Sequence, residues 1–338
     1  MKLISLLGVR ASSSSPSTKS LDLMVKKYDI VTVTLNPAID QTVFIQRFVP
    51  GAVNRAHRSH RQAGGKGVNV SALLGRYGVG STATGFLGQS NDEPFVELFS
   101  KAGVSDDFIR LLGETRTGIK IIDESTNETT DINFPGLQPS EVDIRVLKTL
   151  LSELVVPGRW FVLGGSLPAG IEVEVFGELL ALLKRGGAKV AVDTSGPALA
   201  VAIEGGADLI KPNEHELAEY LGRPLGDLSS QVDAAREIQR TKVPRVILSL
   251  GGEGALFITP EGELLASAPP VEVLSTVGAG DSLLAGYLAG LATDRGAEDC
   301  ARLATVFAWC VLEDLSRELP AREVLERRMS EIRTRVLS

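Results

Sequence analysis

The residues best placed for chemistry gather in one glycine-rich segment, Thr276-Val277-Gly278-Ala279-Gly280-Asp281-Ser282. An apolar run, LLAGYLAGL (283–291), follows it, and the pattern predicts a helix over 279–292. Glycines directly before a helix let the backbone turn tightly and leave N–H groups without carbonyl partners. Those groups, with the positive end of the helix dipole, favour an anion. Asp281 is conspicuous there, because its carboxylate occupies the place an anion would take. Two roles fit the spacing: a helix N-cap, for which Asp is favoured, or a general base aimed at a group in transfer. The segment is not a Walker A loop, since no G-x-x-x-x-G-K-[ST] string occurs, and it is not a full G-x-G-x-x-G.

Two further glycine clusters have similar settings. QAGGKGVN (62–69) opens a second predicted helix and adjoins the basic run RAHRSHRQAGGK (55–66), which contains no acid. Lys66 and Arg61 beside open backbone amides suit a phosphate ester or a sugar; the alternative is a solvated basic strand. SLGGEGAL (249–256) ends a predicted strand, as a plain hairpin turn or a close approach to a nucleotide. In KPNEHE (211–216), Asn213 and Glu216 share one face of a helix's first turn. An amide and a carboxylate so placed can hold a hydrated Mg²⁺ through water, yet the same spacing is that of a capping box, which spacing alone favours. The histidines lack metal-ligand spacing, and Cys300 and Cys310 form no C-x-x-C pair, so they read as buried thiols.

The elements that must position these groups follow from the pattern. The chain has 338 residues, 43% hydrophobic and 23% charged, with a net charge of −7. That suits one large α/β unit with a small appendage, and it disfavours nucleic acid, whose phosphates need basic faces. No apolar run approaches the ~18 residues of a membrane span. Residues 1–27 read as a disordered extension, and Met24 is a second candidate start. Strands are predicted at 30–35, 81–86, 160–163, 189–193, 208–210 and 245–249. Helices are predicted at 68–77, 92–102, 141–155, 172–185, 213–221 and 230–240, then 279–292, 297–314 and 321–336. Strands spaced by helices imply βαβ units and a mostly parallel sheet with helices on both faces. A hairpin is predicted over 254–267. Two strand-rich inserts, about 40–62 and 117–135, break the rhythm and read as a small separate sheet.

Taken together, TLNPAID (34–40), AGGKGVNV (63–70) and STVGAGDSLLAGYL (275–288) resemble the PfkB/ribokinase family of carbohydrate kinases, from about residue 28 to 320. GGSLPAG (164–170), KPNEHE and SLGGEGAL agree in order and register. The resemblance implies a ribokinase-like domain over 28–338 with a β lid built from the two inserts. It implies an ATP-dependent sugar-phosphate kinase, Mg²⁺ as cofactor, a cytoplasmic setting and pairing of two copies through the lid. Asp281 matches the base, and Gly278, Ala279 and Gly280 the anion hole. Asp40, Gly65, Lys66 and Asn69 match the sugar-binding residues, and Arg116 the contact to the substrate phosphate. Lys211, Asn213, Ser249 and Gly251 match the nucleotide side, as do Gly254, Ser275 and Val277, with Glu216 near Mg²⁺ through water. GFLGQSND (85–92) and TDINFPG (130–136) are most similar to members acting on fructose 1-phosphate. Tagatose 6-phosphate and fructose 6-phosphate remain open, because Gly118 and Gly164 depart from the family's usual Asn and Ser. A sugar-phosphate sensor without turnover is the alternative of another class.

Overall fold

The computed structural model describes residues 30–126 and 128–337. The extension over 1–27 and the start at Met24 lie outside the described residues. In chain order, β1 (Ile30–Thr34), β2 (Ala38–Ile45) and β3 (Arg58–Gly64) lead to α1 (Lys66–Tyr77), β4 (Ser81–Gly88), α2 (Glu93–Ala102) and β5 (Ser105–Leu111). Then come β6 (Thr117–Asp123), β7 (Glu128–Asn133), α3 (Glu141–Leu154), β8 (Trp160–Gly164), α4 (Val173–Arg185), β9 (Lys189–Asp193) and α5 (Gly196–Glu204). They are followed by β10 (Leu209–Ile210), α6 (Glu214–Leu221), α7 (Leu228–Thr241), β11 (Val246–Ser249), β12 (Ala255–Thr259) and β13 (Gly262–Ser267). The described chain closes with α8 (Ala279–Ala292), α9 (Ala297–Leu312), α10 (Arg322–Met329) and β14 (Arg333–Val336).

Ten strands form the main sheet, in the order β14-β13-β12-β11-β10-β9-β8-β1-β4-β5. Pairing is parallel from β11 across to β5 and antiparallel from β11 to β14. From β1 the chain moves out to β4 and β5, then returns to place β8 on β1's other side. The carboxyl ends of β1 and β8 therefore flank a topological switch point, where open α/β sheets leave a crevice.

Period-two alternation builds the two layers. Val31, Val33, Val190, Val192, Leu256 and Ile258 face one core, against α3 to α7. Ile30, Ala191, Ala255 and Phe257 face the other, against α1, α8, α9 and α10. α8 is apolar nearly all round because it is sandwiched between the sheet and α9. At Gly286 a Cβ would stand 2.7 Å from both Ala304 Cα and the Leu303 carbonyl, so only glycine permits this approach. Cys300 and Cys310 are buried and free.

The strand-rich inserts pair as a separate four-stranded sheet, β3-β2-β6-β7. β2 pairs antiparallel with β3 and parallel with β6. One expectation fails at the carboxyl end. The predicted helix 321–336 stops at Met329, and Arg333–Val336 forms an edge strand on β13. There Thr334 and Val336 favour extended backbone, and β13 offers a free edge to pair.

Candidate active site

α8 begins at Ala279, with Gly278 as its N-cap at φ +84°. A left-handed residue there costs a side chain roughly 1–2 kcal/mol, and glycine avoids it. The first amides of the helix lack intrahelical acceptors, although that of Ala279 leans on the Thr276 carbonyl at 3.3 Å. Val277 N–H donates to Ser275 Oγ at 3.1 Å, which tightens the approach to the loop.

Asp281 is the third helical residue and makes no capping bond. It is buried, and its Oδ2 accepts from Asn69 Nδ2 at 2.6 Å. Burial, together with the charge of Asp193, holds its carboxyl above the usual range; Lys66, the Asn69 bond and Lys211 oppose that shift. A buried carboxylate with a raised pKa is suited to accept a hydroxyl proton near neutral pH.

Asp193, at the carboxyl end of β9, is 1% exposed. Lys66 Nζ sits 2.6 Å from its Oδ1 and Lys211 Nζ 3.2 Å from its Oδ2. Burial works against this carboxylate, yet the two lysines hold it below the ordinary range. Burial likewise opposes the charge on Lys66, but Asp193, Asp281 and Glu216 together raise its pKa. A Cβ on Gly280 would lie 3.0 Å from Lys211 Nζ, so this ammonium stands directly beside the anion loop. Two cations and open helix amides thus face one place, the arrangement that stabilises charge on a phosphoryl group.

The sheet β3-β2-β6-β7 supplies the opposite wall. Asp40 lies on β2 between Gln62 of β3 and Gly118 of β6. Its Oδ2 pairs with Arg317 Nη2 at 3.0 Å. A Cβ on Gly64 would stand 2.5 Å from that same oxygen. Gly64→Ala should therefore displace the carboxylate and break its pair with Arg317, lowering stability by about 1.5–3 kcal/mol, as expected for one lost bond to a charged group, read as a lower thermal midpoint.

Arg116 precedes β6 and is half-buried. Its Nη2 donates to the Asn36 carbonyl at 3.4 Å and Nη1 to that of Phe134 at 3.5 Å. Its Nε is buried without a partner among the described residues. Burial depresses its pKa, opposed by Asp40. A guanidinium with no carboxylate in contact among the described residues is suited to an anion from outside.

On the remaining side, Asn213 and Glu216 form a complete capping box on α6: the Glu216 amide donates to Asn213 Oδ1 at 2.8 Å and the Asn213 amide to Glu216 Oε2 at 2.9 Å. A β-bridge joins Asn213 to Ser249. Gly251 and Gly254 bound the short 3₁₀ turn after β11. The structure thus links Asp40, Lys66, Asn69, Lys211, Gly278, Gly280 and Asp281 through shared contacts, with Gly65 capping α1. Arg116 joins the cluster through the charge of Asp40, which acts on its guanidinium, and through its carbonyl, which accepts from the Ile39 amide of β2 at 2.8 Å. Ser249 ends β11, and Gly251, Gly254, Ser275 and Val277 lie on adjoining loops.

Residues 33–321 match the pfkB family of carbohydrate kinases. The chain belongs to this family. A 1-phosphofructokinase of Rhodobacter capsulatus is 43% identical over 297 residues, covering 88% of this chain and 94% of that protein. A 1-phosphofructokinase of Xanthomonas campestris pv. campestris is 43% identical over 288 residues, covering 84% and 91%. Among solved structures, phosphofructokinase-2 from Escherichia coli in complex with fructose-6-phosphate aligns at TM-score 0.81 and 28% identity, over 90% and 98% of the two chains.

Two residues of this pfkB kinase escaped the sequence reading. Asp193 carried a usable signal, an acid at the end of a parallel strand (KVAVD), where such sheets place their sites. Arg317 carried none, lying in a loop with no motif. The departure at Gly164 has a steric reason, since a Cβ there would stand 3.0 Å from the Gly67 amide nitrogen and 3.2 Å from Lys66 Cβ. Among the described residues no helix is long and apolar enough to cross a membrane.

Proposed function

We propose that this kinase transfers the γ-phosphoryl group of ATP to the free primary hydroxyl of fructose 1-phosphate, yielding fructose 1,6-bisphosphate and ADP. The observation that carries the reading is Asp281, buried at the head of α8 between the Asp40 wall and the Lys211 side, with its pKa raised. Asp281 Oδ accepts the hydroxyl proton as the sugar oxygen bonds to phosphorus and the bond to the ADP oxygen breaks. Amides of Gly278, Ala279 and Gly280, with Lys66 and Lys211, balance the charge on the equatorial oxygens. Asp40, Gly65, Lys66 and Asn69 bind the sugar, and Arg116 its phosphate. Lys211, Asn213, Ser249, Gly251, Gly254, Ser275 and Val277 border the nucleotide.

Mg²⁺ fits this site as a hydrated ion. Asn213 Oδ1 and Glu216 Oε2 already serve the capping box, which leaves one Glu216 carboxylate oxygen to hold a metal-bound water. Such an ion, held there, would supply positive charge against the phosphates of the nucleotide. The sheet β3-β2-β6-β7 acts as a lid over the domain spanning 28–338, excluding water that would otherwise hydrolyse ATP. Its outer strand β7 exposes Ile132, with Phe134 beyond its end, and these suit contact with a second copy of the chain.

ADP release measured with fructose 1-phosphate, fructose 6-phosphate, tagatose 6-phosphate and fructose tests the acceptor. Fructose 1-phosphate should give the highest kcat/KM; no ADP release with any of them would leave only a sensor. Fructose 6-phosphate is the second reading, favoured by the ligand in the E. coli phosphofructokinase-2 complex. Arg116→Ala should raise KM for fructose 1-phosphate about 10- to 100-fold, the scale of a lost charge-assisted contact. KM for free fructose should hardly change. Equal effects on both would place the substrate phosphate elsewhere.

A further inference from the structure

Arg317 is 7% exposed and adopts φ +55°, a left-handed conformation that non-glycine residues rarely take. Its backbone is pinned: its amide donates to the Asp314 carbonyl at 3.2 Å, and its own carbonyl accepts from Arg76 Nη1 of α1 at 2.7 Å. The guanidinium that this geometry delivers reaches across the site. Nη1 donates to Asn69 Oδ1 at 3.0 Å and Nη2 to Asp40 Oδ2 at 3.0 Å. With the Gln62 amide nitrogen turned to His60, the Gln62 oxygen accepts from Arg317 Nη2 at 3.0 Å and Nε at 3.1 Å. The stem of the side chain packs on Gly278, where a Cβ would stand 3.3 Å from Arg317 Cδ.

We propose that Arg317 is a positioning residue for phosphoryl transfer, a single guanidinium that holds lid residue Asp40 and the Asn69–Asp281 pair in one register. This rests on reading Asp281 as the base. An amide offers one acceptor end and one donor end. Because Arg317 occupies the oxygen of Asn69, the NH₂ group must face Asp281, where it donates at 2.6 Å. Turned the other way, Asn69 would set an oxygen against the carboxylate. At Asp40, Arg317 takes Oδ2 and leaves Oδ1 on the Gly118 side, 3.5 Å from where a Cβ there would be. A planar fork can make these bonds together, whereas an ammonium acts as one point charge. Lid position and base orientation are thereby coupled through one side chain.

Arg317→Gly tests this cleanly, because glycine accepts φ +55° without strain. Thermal unfolding should stay cooperative, with a midpoint lowered by loss of the buried Arg317–Asp40 pair, and the KM for ATP should stay near that of the parent protein. kcat should fall about 10- to 100-fold, the scale of a misplaced reacting group, and by more than KM for the acceptor rises. Guanidinium chloride below denaturing concentration should restore much of the lost kcat, with tetramethylammonium chloride at equal ionic strength as control. Arg317→Lys should remain as impaired as the glycine variant. If Arg317→Gly does not fold, Arg317→Gln, neutral and with one NH₂ group in place of the five-donor fork, should show the same kcat deficit. A kcat unchanged in the folded variant, or a deficit that guanidinium does not relieve, overturns the proposal. Asp281→Asn is assayed in parallel. Full activity there removes the base reading itself, whereas loss there with normal Arg317→Gly turnover removes only the role of Arg317.

Discussion

Asp281→Asn is expected to lower kcat by about 10²–10⁴ while KM for ATP and for the acceptor stay close to those of the parent protein. The substitution keeps shape and removes the ability to take a proton, together with the carboxylate charge. Asn69 donates to Asp281 Oδ2, and an asparagine oxygen at that place preserves the bond. The anion loop, built by Gly278 and the backbone, is untouched. The pH dependence carries the same signature. Burial and Asp193 raise the Asp281 pKa, and the base must be ionised to act. Parent kcat should therefore decline as pH falls through that raised pKa, on an acid limb lying above the ordinary carboxylate range. The asparagine variant should lack that limb.

Asp193→Asn should produce the largest loss of stability. The native carboxylate is shared by Lys66 and Lys211. Neutralising it leaves two buried or half-buried ammonium groups facing each other. Removing one partner of a buried ion cluster typically costs about 3–5 kcal/mol, visible as a clear drop in the thermal midpoint. The pH sign is definite. The folded Asp193 pKa lies below the ordinary value, so its stabilisation is present at neutral pH and lost as pH falls through the folded pKa. The gap between parent and variant should accordingly narrow toward acid. Loss of the Asp193 charge also removes one cause of the raised Asp281 pKa, so the acid limb of the residual activity should move to lower pH. A limb that moves upward would contradict the electrostatic layout.

The regular alternation of β1, β8, β9 and β11 with helices was legible because buried parallel strands form short β-branched runs. β5 was not, since SDDFIRL interrupts its apolar positions with two acids. α5 was missed because GPALAVAIE is short and apolar without a clear stripe. The carboxyl-terminal strand was read as helix because its partner β13 lies almost 70 residues back, a pairing no local pattern reveals. At the site, the capping box of Asn213 and Glu216 was visible from spacing alone. The choice between cap and base at Asp281 was not, because it depends on Asn69, which is 212 positions away. Arg317 illustrates the same limit, since its partners Asp40 and Asn69 come from the other end of the chain.

The central claim is that the cleft joins the γ-phosphoryl group to a second hydroxyl of a sugar that already carries a phosphate. ³¹P NMR of the protein with ATP, Mg²⁺ and fructose 1-phosphate reads this directly. The account predicts a new phosphate-ester resonance, that of fructose 1,6-bisphosphate, growing in step with ADP. Inorganic phosphate in place of that ester, or no consumption of ATP, would contradict it.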